Sequence, residues 1–249
     1  MVIGNSEQID VIIGVVDRPI ETRATLDALF EANNNVNVIL VDDGSTELVD
    51  LYGLPAITTI FTGGRVGQAK SVNIGLDAST SEYVVVMHND IVIKDKNWIL
   101  KAIDFLKNNP SAGLVTDLGW VLANGHLPYI AISTTKEGPY CYSQVPMTED
   151  FVEVYNADNI ISVFANDGLR ADERYGLGSY SLWIDLKAKG LKVYVMKFED
   201  SVHSKSSTRY IPAYTNITTW KEECKLMTDV VLERMIEFGI TMPKPEIKE

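Results

Sequence analysis

Ser81–Ile93, SEYVVVMHNDIVI, is the stretch whose reading decides the fold. A short apolar run, Tyr83–Met87, is followed by three polar residues, His88, Asn89 and Asp90, before Ile91–Ile93 resumes. An apolar run of this length and valine content reads as a strand buried on both faces. Polar groups at its carboxyl end lie in the crevice where open α/β sheets bind ligands. A carboxylate there, beside an imidazole or amide, suits a divalent cation that carries a phosphorylated substrate. The same letters also suit a strand followed by a polar turn, so the neighbouring segments have to choose.

Towards the amino end, Ile9–Val16 reads as a first buried strand that ends at Asp17-Arg18-Pro19, where Pro19 stops it. Glu21-Thr22 opens a helix with Leu26, Leu29 and Phe30 on one face, closed by Asn33–Asn35. Val36–Val41 is a second buried strand, running directly into Asp42-Asp43-Gly44-Ser45-Thr46. Strand, helix and strand form a βαβ unit whose parallel strands share one carboxyl edge. Asp17 and Asp43 are therefore expected at the same edge as Asp90. Ala56–Phe61 is a third strand, and Thr62–Gly67, TGGRVG, turns into a helix with Ala69, Val72 and Leu76 inward. Arg65 and Lys70 lie near the start of that helix, where free N–H groups favour anions.

On the carboxyl side, Asp95–Asn108 reads as a helix with Ile99, Ala102, Ile103 and Leu106 inward, and Gly113–Thr116 as a strand. Strands alternating with helices predict a three-layer α/β/α sheet. After Asp117 the regularity fails. Gly119–Met147 carries Gly, Pro and the aromatics Trp120, Tyr129, Tyr140 and Tyr142, with Pro128–Ile132 as a short strand. That segment suits an acceptor-binding flap or an irregular β excursion, and the residues favour neither. Val152–Phe164 holds strand material, and a helix from near Ser179 has Leu182, Trp183 and Leu186 apolar and Gly190 as its stop. Leu191–Met196 is a strand, followed by Phe198–His203. A last helix, about Thr218–Phe238, sets Trp220, Cys224, Met227, Val231 and Met235 on one side, a stripe that reads as packing. The expected division is one domain over 1–217, with halves at about 9–117 and 118–217, and a helix and charged tail over 218–249.

The chain has 249 residues, 46% hydrophobic and 22% charged, which suits a soluble protein with a sizeable core. A formal net charge of −12 argues against nucleic acid as a partner. An anionic substrate stays open, because a metal or a few local cations can offset the field. Cys141 and Cys224 are the two cysteines, without metal-ligand spacing, and read as reduced core thiols. Met1–Asp10 is polar and no run approaches a membrane span, so the expected location is cytoplasmic. Oligomeric state is not readable.

With these segments in order, the chain resembles the GT-A-fold glycosyltransferases, in particular the family 2 type. The resemblance rests on Val16-Asp17-Arg18-Pro19 after the first strand and Val41-Asp42-Asp43-Gly44-Ser45 after the second. It rests also on Gly64–Gly75 with Asn73-Ile74-Gly75, on His88-Asn89-Asp90 in the place of the metal-binding Asp-x-Asp, and on the late His203. It spans roughly Ile9–His203. It implies a nucleotide-diphospho-sugar transferase fold, Rossmann-like, with a mixed, mostly parallel sheet. It implies transfer of a sugar from a nucleotide donor, by default a UDP-sugar, to a glycan or other hydroxyl acceptor.

By that resemblance Val15, Asp17, Asp42 and Asp43 hold the base and ribose, and a carboxylate does accept from a base N–H or a ribose hydroxyl. Arg18 and Asn89 fall inside the same motifs and join the donor-binding set, with Lys70 near the diphosphate. Arg65 reads better as a solvated helix-face residue. Asp90 would bind Mn2+ or Mg2+, with His203 and His88 as further ligands, and imidazole favours manganese.

Two departures stand out. His88 replaces the first acid of Asp-x-Asp. The acidic pair that supplies the base of inverting members falls near Gly178-Ser179, where Gly178–Ser181 has no acid. Asp172 and Glu173 are the candidate catalytic carboxylates, in a position that also suits a structural role, and Asp185 lies too deep in the helix. A base must reach the acceptor hydroxyl within hydrogen-bond distance. Retaining transfer, a non-catalytic nucleotide- or sugar-binding relative, and a sugar-1-phosphate nucleotidyltransferase are the alternatives. The last is disfavoured because Gly63-Gly64-Arg65 follows the third strand rather than the first.

Overall fold

The computed structural model describes residues 8–33, 35–123, 126–133, 149–154, 156–157, 160–173, 182–203 and 232–240. The chain opens β1 (Ile9–Val15), α1 (Pro19–Ala32), β2 (Val36–Asp42), β3 (Ile57–Phe61), α2 (Gln68–Ala78) and β4 (Tyr83–Met87). β5 (Ile91–Ile93), α3 (Trp98–Asn108) and β6 (Ala112–Thr116) follow. The second half adds β7 (Leu118–Ala123), β8 (His126–Ser133), β9 (Phe151–Val154), β10 (Asn156–Ala157) and β11 (Ile161–Ala165). α4 (Leu182–Ala188), β12 (Lys192–Met196) and β13 (Ser201–His203) complete the labelled elements.

One eight-stranded sheet, in the order β3-β2-β1-β4-β11-β6-β12-β9, takes strands from both halves of the chain. β3, β2, β1, β4, β6 and β12 point the same way, whereas β11 and β9 run against them. The sheet is thus mixed and mostly parallel, as expected. β10, β7 and β8 form a smaller antiparallel sheet, and β13 pairs with β5. The stretch after Asp117 that carried no clear period is therefore β structure in part, built on the β7–β8 hairpin.

Successive residues of a strand point to opposite faces, and here each face has its own core. Val85 and Met87 join Val11, Ile13, Val38 and Leu40 beneath α1 and α3. Val84 and Val86 join Ile12, Ile39 and Val41 beneath α2 and α4. A strand covered on both sides cannot alternate apolar with polar, which is why Tyr83–Met87 is an unbroken apolar run. Gly75 brings α2 against β1, since a Cβ there would overlap Ile12 Cγ2.

The structure corrects several boundaries. Pro19 does more than stop β1: it is the first residue of α1, where a missing N–H costs nothing. α3 begins at Trp98 rather than Asp95, because the Asp95 carboxylate instead accepts the N–H groups of Glu199 and Asp200 at 2.8 and 3.2 Å. Of the last helix, residues 232–237 are helical and Met235 is buried against the α2/α4 core. Trp220, Cys224, Met227 and Val231 lie outside the described residues, as do Tyr140, Cys141, Tyr142, Gly178, Ser179 and the tail. No helix among the described residues is long and apolar enough to cross a membrane.

Candidate functional site

Strand register gathers the site. β1 pairs with β2 so that Val15 lies opposite Asp42, and with β4 so that Ile13 lies opposite Met87. The residues just past these strands, Asp17, Asp43 and His88–Asp90, therefore share one carboxyl edge. Val15 is buried, and its carbonyl accepts the Asp43 N–H at 2.8 Å, which ties the two strand ends together.

Asp42 and Asp43 are both buried, yet they face different tasks. Asp42 Oδ1 accepts the Ser45 N–H at 2.8 Å and shapes the turn at Gly44, whose φ of 79° suits glycine. Asp43 reaches across the edge to the loop before α2. Its Oδ1 accepts the Val66 N–H at 2.6 Å and its Oδ2 the Gly67 N–H at 2.9 Å. The glycine-rich loop is thereby fastened to the end of β2. Lys70, in the first turn of α2, is exposed.

Asp17 holds the opposite wall. Its Oδ1 accepts the Thr46 N–H at 2.6 Å, the Thr46 hydroxyl at 2.8 Å and the Glu47 N–H at 3.3 Å. Its Oδ2 accepts from Arg65 Nη2 at 2.9 Å, so Arg65 is an inward partner and not a solvated helix-face residue. The Thr46 hydroxyl and N–H, then the Glu47 N–H and Arg65, hold the Asp17 carboxyl below the usual carboxylate range against a smaller opposing effect of burial. This carboxylate is charged and well occupied by the protein itself.

Beside it, Arg18 spans two acids. Nη1 donates to Asp90 Oδ2 at 2.7 Å and Nη2 to Glu21 Oε1 at 2.9 Å. The Arg18 and Asp90 side chains are 7% and 4% exposed, so solvent screens the pair little. Both Asp17 and Arg18 take positive φ, 53° and 59°, a conformation uncommon outside glycine. Asn89 points away to α1, donating to Thr22 Oγ1 at 2.9 Å.

The other oxygen of Asp90, Oδ1, faces His88 Nδ1 at 4.0 Å. Gln68 Nε2 meets His88 Nε2 at 2.9 Å. With the amide nitrogen donating, the ring proton sits on Nδ1. A half-turn of that amide would present its oxygen, move the proton to Nε2 and leave Nδ1 as a lone-pair donor. His203 pairs in register with Ile91, next to Asp90, through the β13–β5 ladder. Among the described residues no three His, Cys, Asp or Glu side chains converge on one point. The carboxylate of Asp90 and the imidazole of His88 do approach one another, and they fit a borderline divalent cation such as Mn2+.

Asp172 and Glu173 sit elsewhere. The segment after β11 runs back along α2, with Arg170 on Asp77 and the backbone of Ala171 on Asn73. Glu173 Oε1 accepts from Asn73 Nδ2 at 2.9 Å. Asn73 lies six residues past Gly67, the N-cap of α2, or about 9 Å along the helix at 1.5 Å per residue. Asp172 Oδ2 accepts from Arg234 Nη1 at 3.1 Å, and Arg234 Nη2 also pairs with Asp185. The structure brings these two carboxylates to the flank of α2, apart from the Asp17–Asp43–Asp90 edge.

Sequence reasoning missed Gln68, Glu21 and Arg234 as partners of site residues. Glu21 lies one helical turn from Arg18, a spacing that signals a pair. Gln68 and Arg234 carry no such mark, because their partners are remote in the chain.

A comparison with curated proteins finds no match. Among solved structures, the Pyrobaculum calidifontis mannosyltransferase PcManGT in complex with GDP-Man and Mn2+ is similar at a TM-score of 0.57 and 14% identity, covering 96% of this chain and 66% of that one. The S. aureus TarS 1-349 structure in complex with UDP-GlcNAc is similar at a TM-score of 0.63 and 14% identity, covering 92% of this chain and 66% of that one. A second structure of TarS 1-349 gives 0.56 and 15%, covering 92% and 65%. The chain thus spans just under two thirds of the structures it matches. These likenesses show the fold: mixed α/β of the GT-A, nucleotide-diphospho-sugar transferase kind. Residues 10–143, more than half of the chain, match the model of the family described as Glycosyl transferase family 2, and the chain belongs to that family.

Proposed function

We propose that the protein transfers a sugar from a nucleoside-diphosphate sugar, with UDP as the carrier, to a hydroxyl acceptor. The observation that carries this reading is the meeting of Asp17, Asp42, Asp43 and Asp90 with Arg18 and Arg65 at one sheet edge. Each carboxylate oxygen has a second lone pair with which these acids would accept from the base and ribose, and the two guanidinium groups supply the positive charge that the phosphates need. Lys70 adds a mobile positive charge from the first turn of α2.

Asp90 and His88, with His203 beside them in register, are the residues that would hold Mn2+ or Mg2+. Such a cation would neutralise charge on the departing nucleoside diphosphate. The chain's own part is to keep the site ordered. Asp43 fastens the 62–67 loop, Asp17 fastens the 45–47 turn, and Arg18 holds the Asp90 carboxylate in place. Holding donor and acceptor together removes much of the entropic barrier to transfer. Asp172 and Glu173 stay in this reading as the candidate catalytic carboxylates, although both are engaged at the flank of α2. A base role would require one of them to leave Arg234 or Asn73.

The test is a panel of UDP- and GDP-sugars incubated with the full chain and Mn2+, with release of nucleoside diphosphate as the readout. Release from one donor, stimulated by an acceptor alcohol, is the expected result. Binding without release would make the chain a non-catalytic relative, and pyrophosphate exchange with a nucleoside triphosphate would make it a nucleotidyltransferase.

A further inference from the structure

Arg18 sits on Asp90, the carboxylate that the reading above gives to a cation. Its guanidinium is held at two points, 2.7 Å from Asp90 Oδ2 and 2.9 Å from Glu21 Oε1, so it is fixed as a fork. Its backbone is fixed as well. Asp17 and Arg18 stand in succession at positive φ, and Pro19 starts α1 immediately after them. The Arg18 carbonyl accepts both the N–H and the hydroxyl of Thr22, at 3.0 and 2.9 Å, inside the first turn of α1. Two adjacent non-glycine residues in this conformation are strained, and such strain persists only where the surroundings over-determine it. Here it aims a cation into a buried acid.

The charges then conflict. Asp90 carries one negative charge, and Arg18 already neutralises it in a place that is almost closed to water. A divalent cation arriving at the His88 side of the same carboxylate meets a fixed positive charge within a few ångströms, at low screening. Glu21 relieves this only in part, because its side chain is 36% exposed and solvated. A nucleoside diphosphate brings the missing negative charge, and its phosphate oxygens can satisfy guanidinium and metal together.

We propose that Arg18 makes cation loading conditional on the donor: the buried Arg18–Asp90 pair keeps the site closed to a free divalent ion until a nucleoside diphosphate is present. This inference rests on the nucleotide-sugar reading above. Arg18 is in this role a positioning residue that sets the order of binding. A purely structural arginine would weaken the metal site when removed. Removal of Arg18 should instead strengthen it.

The experiment titrates Mn2+ into the full chain with and without saturating UDP, reading Mn2+ by electron paramagnetic resonance against a protein-free Mn2+–UDP control so that only protein-bound metal is counted, and titrates UDP by calorimetry in EDTA. For the unaltered chain, UDP should tighten Mn2+ binding at least about tenfold. Arg18→Gln keeps an amide to hydrogen-bond Asp90 and removes the charge. It should bind Mn2+ alone about tenfold more tightly, lose most of the gain from UDP, and bind UDP more weakly in EDTA. Arg18→Lys, which keeps the charge, should restore the unaltered pattern. Glu21→Gln, at the helix surface, tests the same balance in a chain that folds: Mn2+ alone should bind a few-fold more weakly.

Unchanged Mn2+ affinity in Arg18→Gln, or in Glu21→Gln should the first not fold, overturns the inference. Equal Mn2+ affinity with and without UDP in the unaltered chain does so too. A chain that binds neither UDP nor GDP under any condition overturns the donor site itself. UDP binding that ignores Arg18 removes only the present inference.

Discussion

Asp43 Oδ2 accepts the backbone N–H of Gly67 at 2.9 Å, joining the end of β2 to the N-cap of α2 across 24 residues of chain. Oδ1 of the same carboxylate takes the Val66 N–H at 2.6 Å. Together they fix the glycine-rich loop over the sheet edge.

Asp43→Ala should leave both N–H groups without their acceptor in a buried position. Each such loss costs about 1–3 kcal/mol, so unfolding in urea should show a stability loss of about 3 kcal/mol. UDP affinity should fall with it, because the loop that carries Arg65 is no longer held. Full UDP affinity in a folded Asp43→Ala chain would separate the loop from the donor site.

Asp90→Asn removes the buried one of two acids paired with a guanidinium that is almost fully buried, leaving it the half-exposed Glu21. Breaking a buried pair in this way costs about 3–5 kcal/mol, read as a lower melting temperature. Stimulation of UDP binding by Mn2+ should disappear in the same variant. Calorimetry with and without Mn2+ measures this directly.

Asp10 lies at the opposite end of β1, buried, with Asn37, Ser79, Thr80 and Ser81 donating to its carboxylate. Burial would raise its pKa, but those hydrogen bonds outweigh it and hold the carboxyl below the usual aspartate range. A depressed carboxylate contributes stability that is complete above its unfolded pKa and is lost as pH falls through the folded one. The free energy of unfolding should therefore drop as the solution is acidified below about pH 4. Asp10→Asn should flatten that acid limb and lower stability at neutral pH.

Arg234→Met should remove the ion pairs with Asp172 and Asp185 and loosen the packing of residues 232–237 beside α4, where Met235 still anchors them. The pair is partly buried, so a loss of about 1–2 kcal/mol is expected, read as a melting temperature lower by a few degrees. UDP binding should weaken little, since Arg234 pairs with Asp172 and Asp185 and touches none of Asp17, Asp43 and Asp90. A large loss of UDP affinity would place Arg234 among the donor-site supports.

Gly75→Ala puts a methyl group into Ile12 Cγ2, where α2 lies on β1. Overpacking of this kind costs about 1–3 kcal/mol. A melting curve unchanged by the substitution would mean that α2 can shift outward freely.

Much of the candidate site was legible because it is made by strand ends. Val36–Asp42 and Tyr83–Met87 announce buried parallel strands, and whatever follows such strands must share an edge. The letters alone therefore put Asp17, Asp43 and Asp90 at one edge. His203 is drawn to the residue after Asp90 by a three-residue ladder too short to read from its own letters. Arg65 was misjudged, because a basic residue in a glycine-rich loop has the same letters whether it faces water or Asp17. The start of α3 escapes the letters for a similar reason: Asp95 reads as the first residue of the helix, but its carboxylate serves the turn at Glu199–Asp200 instead.

The sequence by itself determined the class of architecture, since unbroken apolar runs between helices must be strands covered on both faces, while the place of antiparallel β11 between β4 and β6 came only with the tertiary structure. It also determined which residues crowd the carboxyl edge. Only the tertiary structure decided which of those charges are already taken: Asp17 by Arg65, Asp43 by Val66 and Gly67, Asp90 by Arg18, Asp172 by Arg234. The reason is physical. Burial and period are properties of a segment, whereas an ion pair forms where two distant segments happen to dock, and no local pattern encodes the meeting.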